Sequence, residues 1–258
     1  SIKIDPTQKL FKPTRSSVTE ILAEQPHSVA RTLIISAARN SALNLIYNMH
    51  ESLLRFNKKQ RYVVFDTETE GLNLVTSRPW QVAWLVVEGD KIVSRNDKFI
   101  YWPDLNVSEG AARVTGFSRK EYEKKAEPPS QVWSQFSPEL YNEDNLIIGH
   151  NLLGFDVYMV NVWRKLMGMQ GDHSYLQRII DTNSLAKAIA KQIPVDKENF
   201  LPWQYRLINH IERGLKTSQA ALLKKYNIDH DSKRLHDAMY DIEMNFKVFR
   251  KQLFELEI

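Results

Sequence analysis

A β-branched and aromatic run, Tyr62-Val63-Val64-Phe65, leads directly into Asp66-Thr67-Glu68-Thr69-Glu70-Gly71-Leu72. That junction constrains the fold more than any other stretch: a strand apolar enough to lie inside a sheet ends by delivering carboxylates. Strand side chains alternate between faces, so Asp66 and Glu68 project from one face while Phe65 and Thr67 project from the other. Adjacent like charges repel. Without a cation one of the pair must protonate or the strand loses stability, whereas one or two divalent ions turn the pair into a site of hard oxygen ligands. Gly71 then lets the chain turn and brings its backbone close to a ligand. Taken alone, Asp-x-Glu also describes a solvated strand end before a turn, so the choice rests on residues downstream.

The 258 residues contain no cysteine, which excludes disulfides, thiolate zinc sites and cysteine nucleophiles. Any metal must use carboxylate or histidine, and an intracellular location, cytoplasmic or nucleoid, is expected. A hydrophobic content of 43% supports a sizeable core, in one domain with an appendage. No stretch approaches the ~18 consecutive apolar residues of a membrane span, and Ser1-Ile2-Lys3-Ile4-Asp5 lacks the apolar core of a secretory signal, so no membrane partner is expected. Charge is uneven. Residues 1–60 hold nine Lys/Arg against four Asp/Glu, leaving 26 against 27 for residues 61–258. Such a basic excess can attract a polyanion or can simply be a solvated helical surface.

Ser17-Val18-Thr19-Glu20 has the spacing of a capping box, so a short helix is expected as far as Gln25, before Pro26. Ser28 can cap a longer one whose apolar residues include Leu33, Ile34, Leu45, Ile46, Met49, Leu53 and Phe56. Residues 1–60 therefore read as a helical appendage, ahead of a second domain at 61–258. In that domain Gln81 to Val87 is apolar enough for a central strand covered on both faces, and Glu88-Gly89-Asp90-Lys91 turns it into a returning strand from Ile92 to Tyr101. A polar segment with Thr115-Gly116-Phe117-Ser118 precedes a helix over Pro129 to Leu140. Leu146-Ile147-Ile148 and Ile179-Ile180-Asp181 are short strands, each followed by a helix, Phe155 to Met167 and on through Ala190. The order β-β-β-α-β-α-β-α is that of an α/β sandwich around a mixed sheet.

Two further constellations decide the reading of the first. Asp156 opens the helix after Leu146-Ile147-Ile148-Gly149-His150-Asn151, a place where Asp is often only a capping residue. Leu235-His236-Asp237-Ala238-Met239-Tyr240-Asp241 opens a last helix whose core stripe is Ile242, Phe246, Phe249, Leu253 and Leu256. Asp241 lies one residue before that stripe and should face the sheet, where a bare carboxylate is costly and a metal shared with Asp66 removes the cost.

In this order Asp66/Glu68, Asp156 and His236-x4-Asp241 resemble the three motifs of the DnaQ-like (DEDDh) 3′-to-5′ exonucleases of the ribonuclease-H-like superfamily. Gly71-Leu72, the strand from Arg78, Thr115-Gly116-Phe117-Ser118, His150-Asn151 with Phe155, and Asp181-Thr182 extend the resemblance over residues 61–258. It implies a ribonuclease-H-like mixed five-stranded sheet flanked by helices. It also implies two-metal phosphodiester hydrolysis: Asp66, Glu68 and Asp241 hold two Mg²⁺ or Mn²⁺ ions, Asp156 assists directly or through water, and His236 accepts the attacking water's proton. Backbone groups near Thr67 and Glu68 would hold the terminal 3′-OH, while Leu72 and Phe155 pack on bases and Asn151 completes the substrate contacts.

The expected substrate is single-stranded nucleic acid, DNA favoured over RNA, with an exoribonuclease as the alternative. A non-catalytic binding module and a polymerase-associated editing subunit docked through residues 1–60 are the readings from other classes. Two departures from the family pattern stand out. Glu70 replaces a common threonine and would add negative charge at the mouth of the site. Residues 191–216, with Phe200, Trp203, Tyr205, Arg206, His210 and Arg213, form a long connection that reads either as a stacking and phosphate platform or, the favoured reading, as a lid burying its aromatics.

Overall fold

A computed structural model describes residues 57–235 and 237–256. The helices expected up to Gln25 and from Ser28 lie outside these residues, as does His236. Five strands form one sheet: β1 (Arg61–Thr69), β2 (Pro79–Glu88), β3 (Lys91–Phe99), β4 (Asn145–Gly149) and β5 (Ile179–Asp181), in the order β3-β2-β1-β4-β5. β1 is antiparallel to β2, and β2 to β3, while β1 is parallel to β4 and β4 to β5. The sheet is mixed and five-stranded, as expected.

The hydrophobic patterns explain each strand's place. β2 is buried at every residue but its last because strands flank it and helices cover it on both faces. β3 alternates exposed and half-buried residues and carries Lys91, Arg95, Asp97 and Lys98, which keep an open edge from pairing with another chain. Gly89 makes the β2–β3 turn with φ +60°, and a Cβ there would stand 2.5 Å from the Lys58 carbonyl oxygen. Only glycine fits.

Eight helices follow among the described residues: α1 (Glu109–Thr115), α2 (Arg119–Lys125), α3 (Pro129–Tyr141), α4 (Asp156–Leu166), α5 (Thr182–Lys191), α6 (Phe200–Ile208), α7 (Gln219–Lys225) and α8 (Ala238–Leu256). Odd-numbered residues of β1, Val63 and Phe65, face a core built with Val132, Trp133 and Phe136 of α3 and Val157, Val160 and Trp163 of α4. Even-numbered ones, Tyr62 and Val64, face α5, α6 and α8, where Ile242, Phe246, Phe249 and Leu253 form the expected stripe. This alternation places Asp66 and Glu68 on the α8 face and Thr67 on the α4 face.

Two regions differ from the sequence reading. The polar segment around Gly116 contains α1 and α2, capped by Ser108, which accepts from the Ala111 amide, and Ser118, which accepts from the Glu121 amide; Gly116 closes α1 in the left-handed region. Seven-residue helices are too short to show a clear apolar period, and α1 buries none of its residues. In the 191–216 connection, α6 sends Phe200 and Trp203 into the core beside Tyr62 and Val64 rather than into a satellite cluster, and Tyr205 packs against the opposite core. The platform reading is thereby corrected: these rings are packing groups. Gln204 ties α6 to β5, accepting from the Asp181 amide at 2.7 Å and donating to the Ile179 carbonyl at 2.9 Å.

Candidate active site

The carboxylates gather at the C-terminal end of β1. Asp66 and Glu68 leave the strand beside α8, and Asp66 and Asp241 line one small pocket, as the position of Asp241 just before the apolar stripe requires. Asp156, in the first turn of α4, reaches the strand from the other side. Its Oδ1 accepts from the Thr67 amide at 2.9 Å and from the Thr67 hydroxyl at 2.6 Å. Both Thr67 donors are thus committed to Asp156, and Thr67, 5% exposed, is the residue that fixes that acid.

The electrostatics are those of carboxylates buried beside one another. Burial pushes the Asp66 carboxyl well above the usual range, and Asp156, Glu68 and Asp241 push it further by repulsion. Glu68 is driven up to about 8 by burial and then by Asp156, Asp241 and Asp97. Burial raises Asp156 to about 7 against the two Thr67 hydrogen bonds. Such shifts mark carboxylates held close together in a buried place, a repulsion that a divalent cation would relieve. Among the described residues no three His, Asp or Glu side chains are preassembled as a metal-binding group. The donor set nevertheless fits one: hard oxygens, mutually repelling and within electrostatic reach of each other, are what Mg²⁺ or Mn²⁺ takes.

Other residues support the frame. Asp181 caps α5 through the Asn183 and Ser184 amides and also accepts from the amides of Asn151 (3.1 Å) and Leu153 (3.0 Å), so one carboxylate secures both strand-to-helix turns. Asn151 sits in the left-handed region at φ 64°, and a Cβ on Gly154 would come within 2.5 Å of its Oδ1. Phe155 is half-buried and Leu72 is 86% exposed, which leaves both able to meet a substrate. Asp237, just before α8, accepts from the Tyr240 amide at 3.2 Å. His236 falls outside the described residues.

Glu70 is not a loose charge at the mouth, which corrects the expectation for it. Arg78 forks onto its carboxylate with two bonds of 2.9 Å and onto the Pro103 and Asp104 carbonyls; partial burial raises the Glu70 pKa, but hydrogen bonds from the Arg78 side chain and from the Arg78 and Asn106 amides outweigh it and leave the value lowered. Sequence reasoning also passed over Asp97, bonded by Gln81 at 2.7 Å and adding to the field on Glu68, and Gln219, whose side-chain amide donates to the Asp241 carbonyl at 2.9 Å. Register was the only available signal for the first, since Gln81 pairs with Glu68 and with β3; nothing in the sequence marks Gln219.

A mixed sheet in this order, covered on both faces and carrying acids at the end of its central strand, defines a ribonuclease-H-like α/β protein. Comparison narrows the class. The sequence model of the RNase_T family, described as Exonuclease, matches residues 63–249. The chain belongs to this exonuclease family, the DnaQ-like branch of the superfamily. It is similar to the PolC-type DNA polymerase III of Bacillus cereus, 27% identical over 198 residues, covering 71% of this chain and 13% of that protein. The PolC-type enzyme of Thermotoga maritima is 30% identical over 131 residues, covering 50% of this chain and 9% of the relative. Escherichia coli exonuclease I in complex with a dA16 oligonucleotide shares the fold at a TM-score of 0.59 and 17% identity, over 76% of this chain and 41% of that one. The chain thus spans a minor part of each of these three proteins. Among the described residues no helix is long and apolar enough to cross a membrane.

Proposed function

We propose that the protein is a metal-dependent 3′-to-5′ exonuclease releasing nucleoside monophosphates from single-stranded DNA. The observation that carries this reading is the convergence of Asp66, Glu68, Asp156 and Asp241 at the C-terminal end of β1, with Asp66 and Asp241 lining one pocket and Asp156 bonded to Thr67 between Asp66 and Glu68. Asp66, Glu68 and Asp241 would hold two Mg²⁺ or Mn²⁺ ions, with Asp156 assisting directly or through water. Ions bound there supply charge stabilisation to the attacking and leaving oxygens of an in-line displacement. The chain's own groups do the rest. Thr67 locks Asp156 with two hydrogen bonds, so its carboxylate does not reorganise during turnover. His236 takes the proton of the attacking water as the new P–O bond forms and the bond to the 3′ oxygen of the preceding nucleotide breaks. Leu72, Phe155 and Asn151 support the terminal nucleotide, and apolar contacts to base faces tolerate any sequence, as a degradative enzyme needs.

Exonuclease I structures holding dA16 and dT13 support DNA over RNA. The test is a time course on 5′-labelled single-stranded DNA and RNA of equal sequence with Mg²⁺, Mn²⁺ or EDTA. A metal-dependent ladder shortening from the 3′ end, faster on DNA, is the expected result. Faster loss of RNA would make the protein an exoribonuclease, and intact oligomers in every lane would overturn the reading. The PolC-type polymerase relatives favour a second reading, an editing subunit that docks beside a polymerase through residues 1–60. Co-elution with a polymerase, lost on deleting residues 1–49, would support it.

A further inference from the structure

Asn245 lies four residues after Asp241, one turn further along α8, so both side chains leave the helix on the same side. They share the pocket with Asp66, His150 and Gln219. Asn245 is 2% exposed. Its Nδ2 donates to the Thr182 hydroxyl oxygen at 2.8 Å, while its Oδ1, equally buried, receives no hydrogen bond from the protein. Buried amide oxygens are ordinarily bonded, so this one calls for a donor from the pocket.

The polarity of the amide is dictated by its neighbours. Thr182 has one hydroxyl proton and two groups that take it, the Gly149 carbonyl at 3.1 Å and His150 Nδ1 at 3.0 Å. Burial holds the His150 ring neutral, with its pKa lowered to about 4. Thr182 gives its single proton to the Gly149 carbonyl or to Nδ1 of the neutral ring, so none remains for Asn245. Asn245 must therefore turn its NH₂ to Thr182 and its oxygen to the pocket.

An amide oxygen beside two carboxylates repels anions and acceptors. The occupant that suits it is a donor, and a water needs the two to four polar partners that Asn245, Asp66 and Asp241 supply. We propose that Asn245 is a positioning residue of the metal site, its Oδ1 accepting from a water in the shell of the ion held by Asp66 and Asp241, with Thr182 and His150 setting the amide's orientation. This rests on the metal assignment made above. Outer partners of this kind typically alter metal affinity ~10- to 100-fold.

The test is Mn²⁺ binding to the full chain, followed by the electron paramagnetic resonance of free Mn²⁺, with no nucleic acid present. Wild type should bind, and Asp66→Asn should not; failure of that pair would overturn the metal assignment and this inference with it. With that pair as expected, Asn245→Leu should bind Mn²⁺ at least ~10-fold more weakly. Its metal-free melting temperature should be unchanged or raised, because an unsatisfied buried oxygen is gone. Asn245→Asp, which keeps an acceptor and adds a carboxylate, should bind Mn²⁺ no more weakly than wild type; weaker binding would overturn the proposal. Thr182→Val, which frees the amide to turn, should weaken binding in the direction of Asn245→Leu and provides a second reading should that variant misfold. Unchanged Mn²⁺ affinity in Asn245→Leu or, were that variant unfolded, in Thr182→Val would overturn the proposal.

Discussion

Glu68 and Glu70 are the same residue two positions apart, and the fold treats them oppositely. Glu68 lies among acids and is driven up to about 8, whereas Glu70 is gripped by Arg78 and by two main-chain amides and falls below its ordinary value. Evenly matched charge marks a structural acid. Glu68, whose neighbours are acids, is the one the proposed metal site uses, and the two stand on either side of the end of β1. The Glu70 pair joins the end of β1 to the 103–106 segment, so the loop carrying Leu72 starts from a fixed post.

The largest effect expected is on the unmatched side. Asp66→Asn or Glu68→Gln should lower turnover by ~10³-fold or more, measured by single-turnover release of mononucleotide, with the fold retained by circular dichroism. Glu70→Gln should leave turnover within about threefold, since its carboxylate supports a loop and not the reacting atoms. A large loss of turnover there would erase the distinction between the two acids.

On the matched side, Arg78→Ala strands a half-buried carboxylate and should cost about 1 kcal/mol by urea denaturation. The double change Glu70→Gln with Arg78→Ala should recover part of that cost, because the orphaned charge is gone.

A smaller effect is expected in the pH dependence of the metal-free protein. Asp66, Glu68 and Asp156 have folded pKa values raised above their unfolded ones, so the folded state binds protons more tightly than the unfolded state. Their contribution to stability is fully present below pH ~4 and is lost as pH rises to about 8. In EDTA the melting temperature should therefore fall across that window, and Asp66→Asn should raise it near pH 8 by about 2–4 °C, equivalent to ~1 kcal/mol. Added Mn²⁺ should reverse the fall in wild type. A flat profile in EDTA would mean that the acids are not electrostatically loaded.

The sequence displayed what is carried by periodicity and order. β1 and β2 were legible from their apolar runs, α8 from its three-and-four stripe, and Asp66, Glu68, Asp156 and Asp241 from their positions at the ends of those elements. Pairing made only by tertiary contact stayed hidden. Glu70 looked like extra charge because Arg78, eight residues on, meets it only after the loop closes. The aromatics of 200–205 looked ambiguous because burial depends on where α6 docks, and Gln204, whose hydrogen bonds fix that docking, carries no pattern of its own. Asn245 could have been picked out by its i+4 spacing from Asp241, but the bare oxygen that gives it interest belongs to the packed interior.

The packing of α8 across β1 also carries a consequence for biosynthesis. A ribosome makes β1 first and α8 last among the described elements, so the apolar face of Tyr62 and Val64 waits uncovered while everything between is being translated. Asp66 and Glu68 wait with it, short of the carboxylate that α8 delivers. The acid set of the proposed site is therefore incomplete on a nascent chain until α8, the helix that completes this core, has left the exit tunnel.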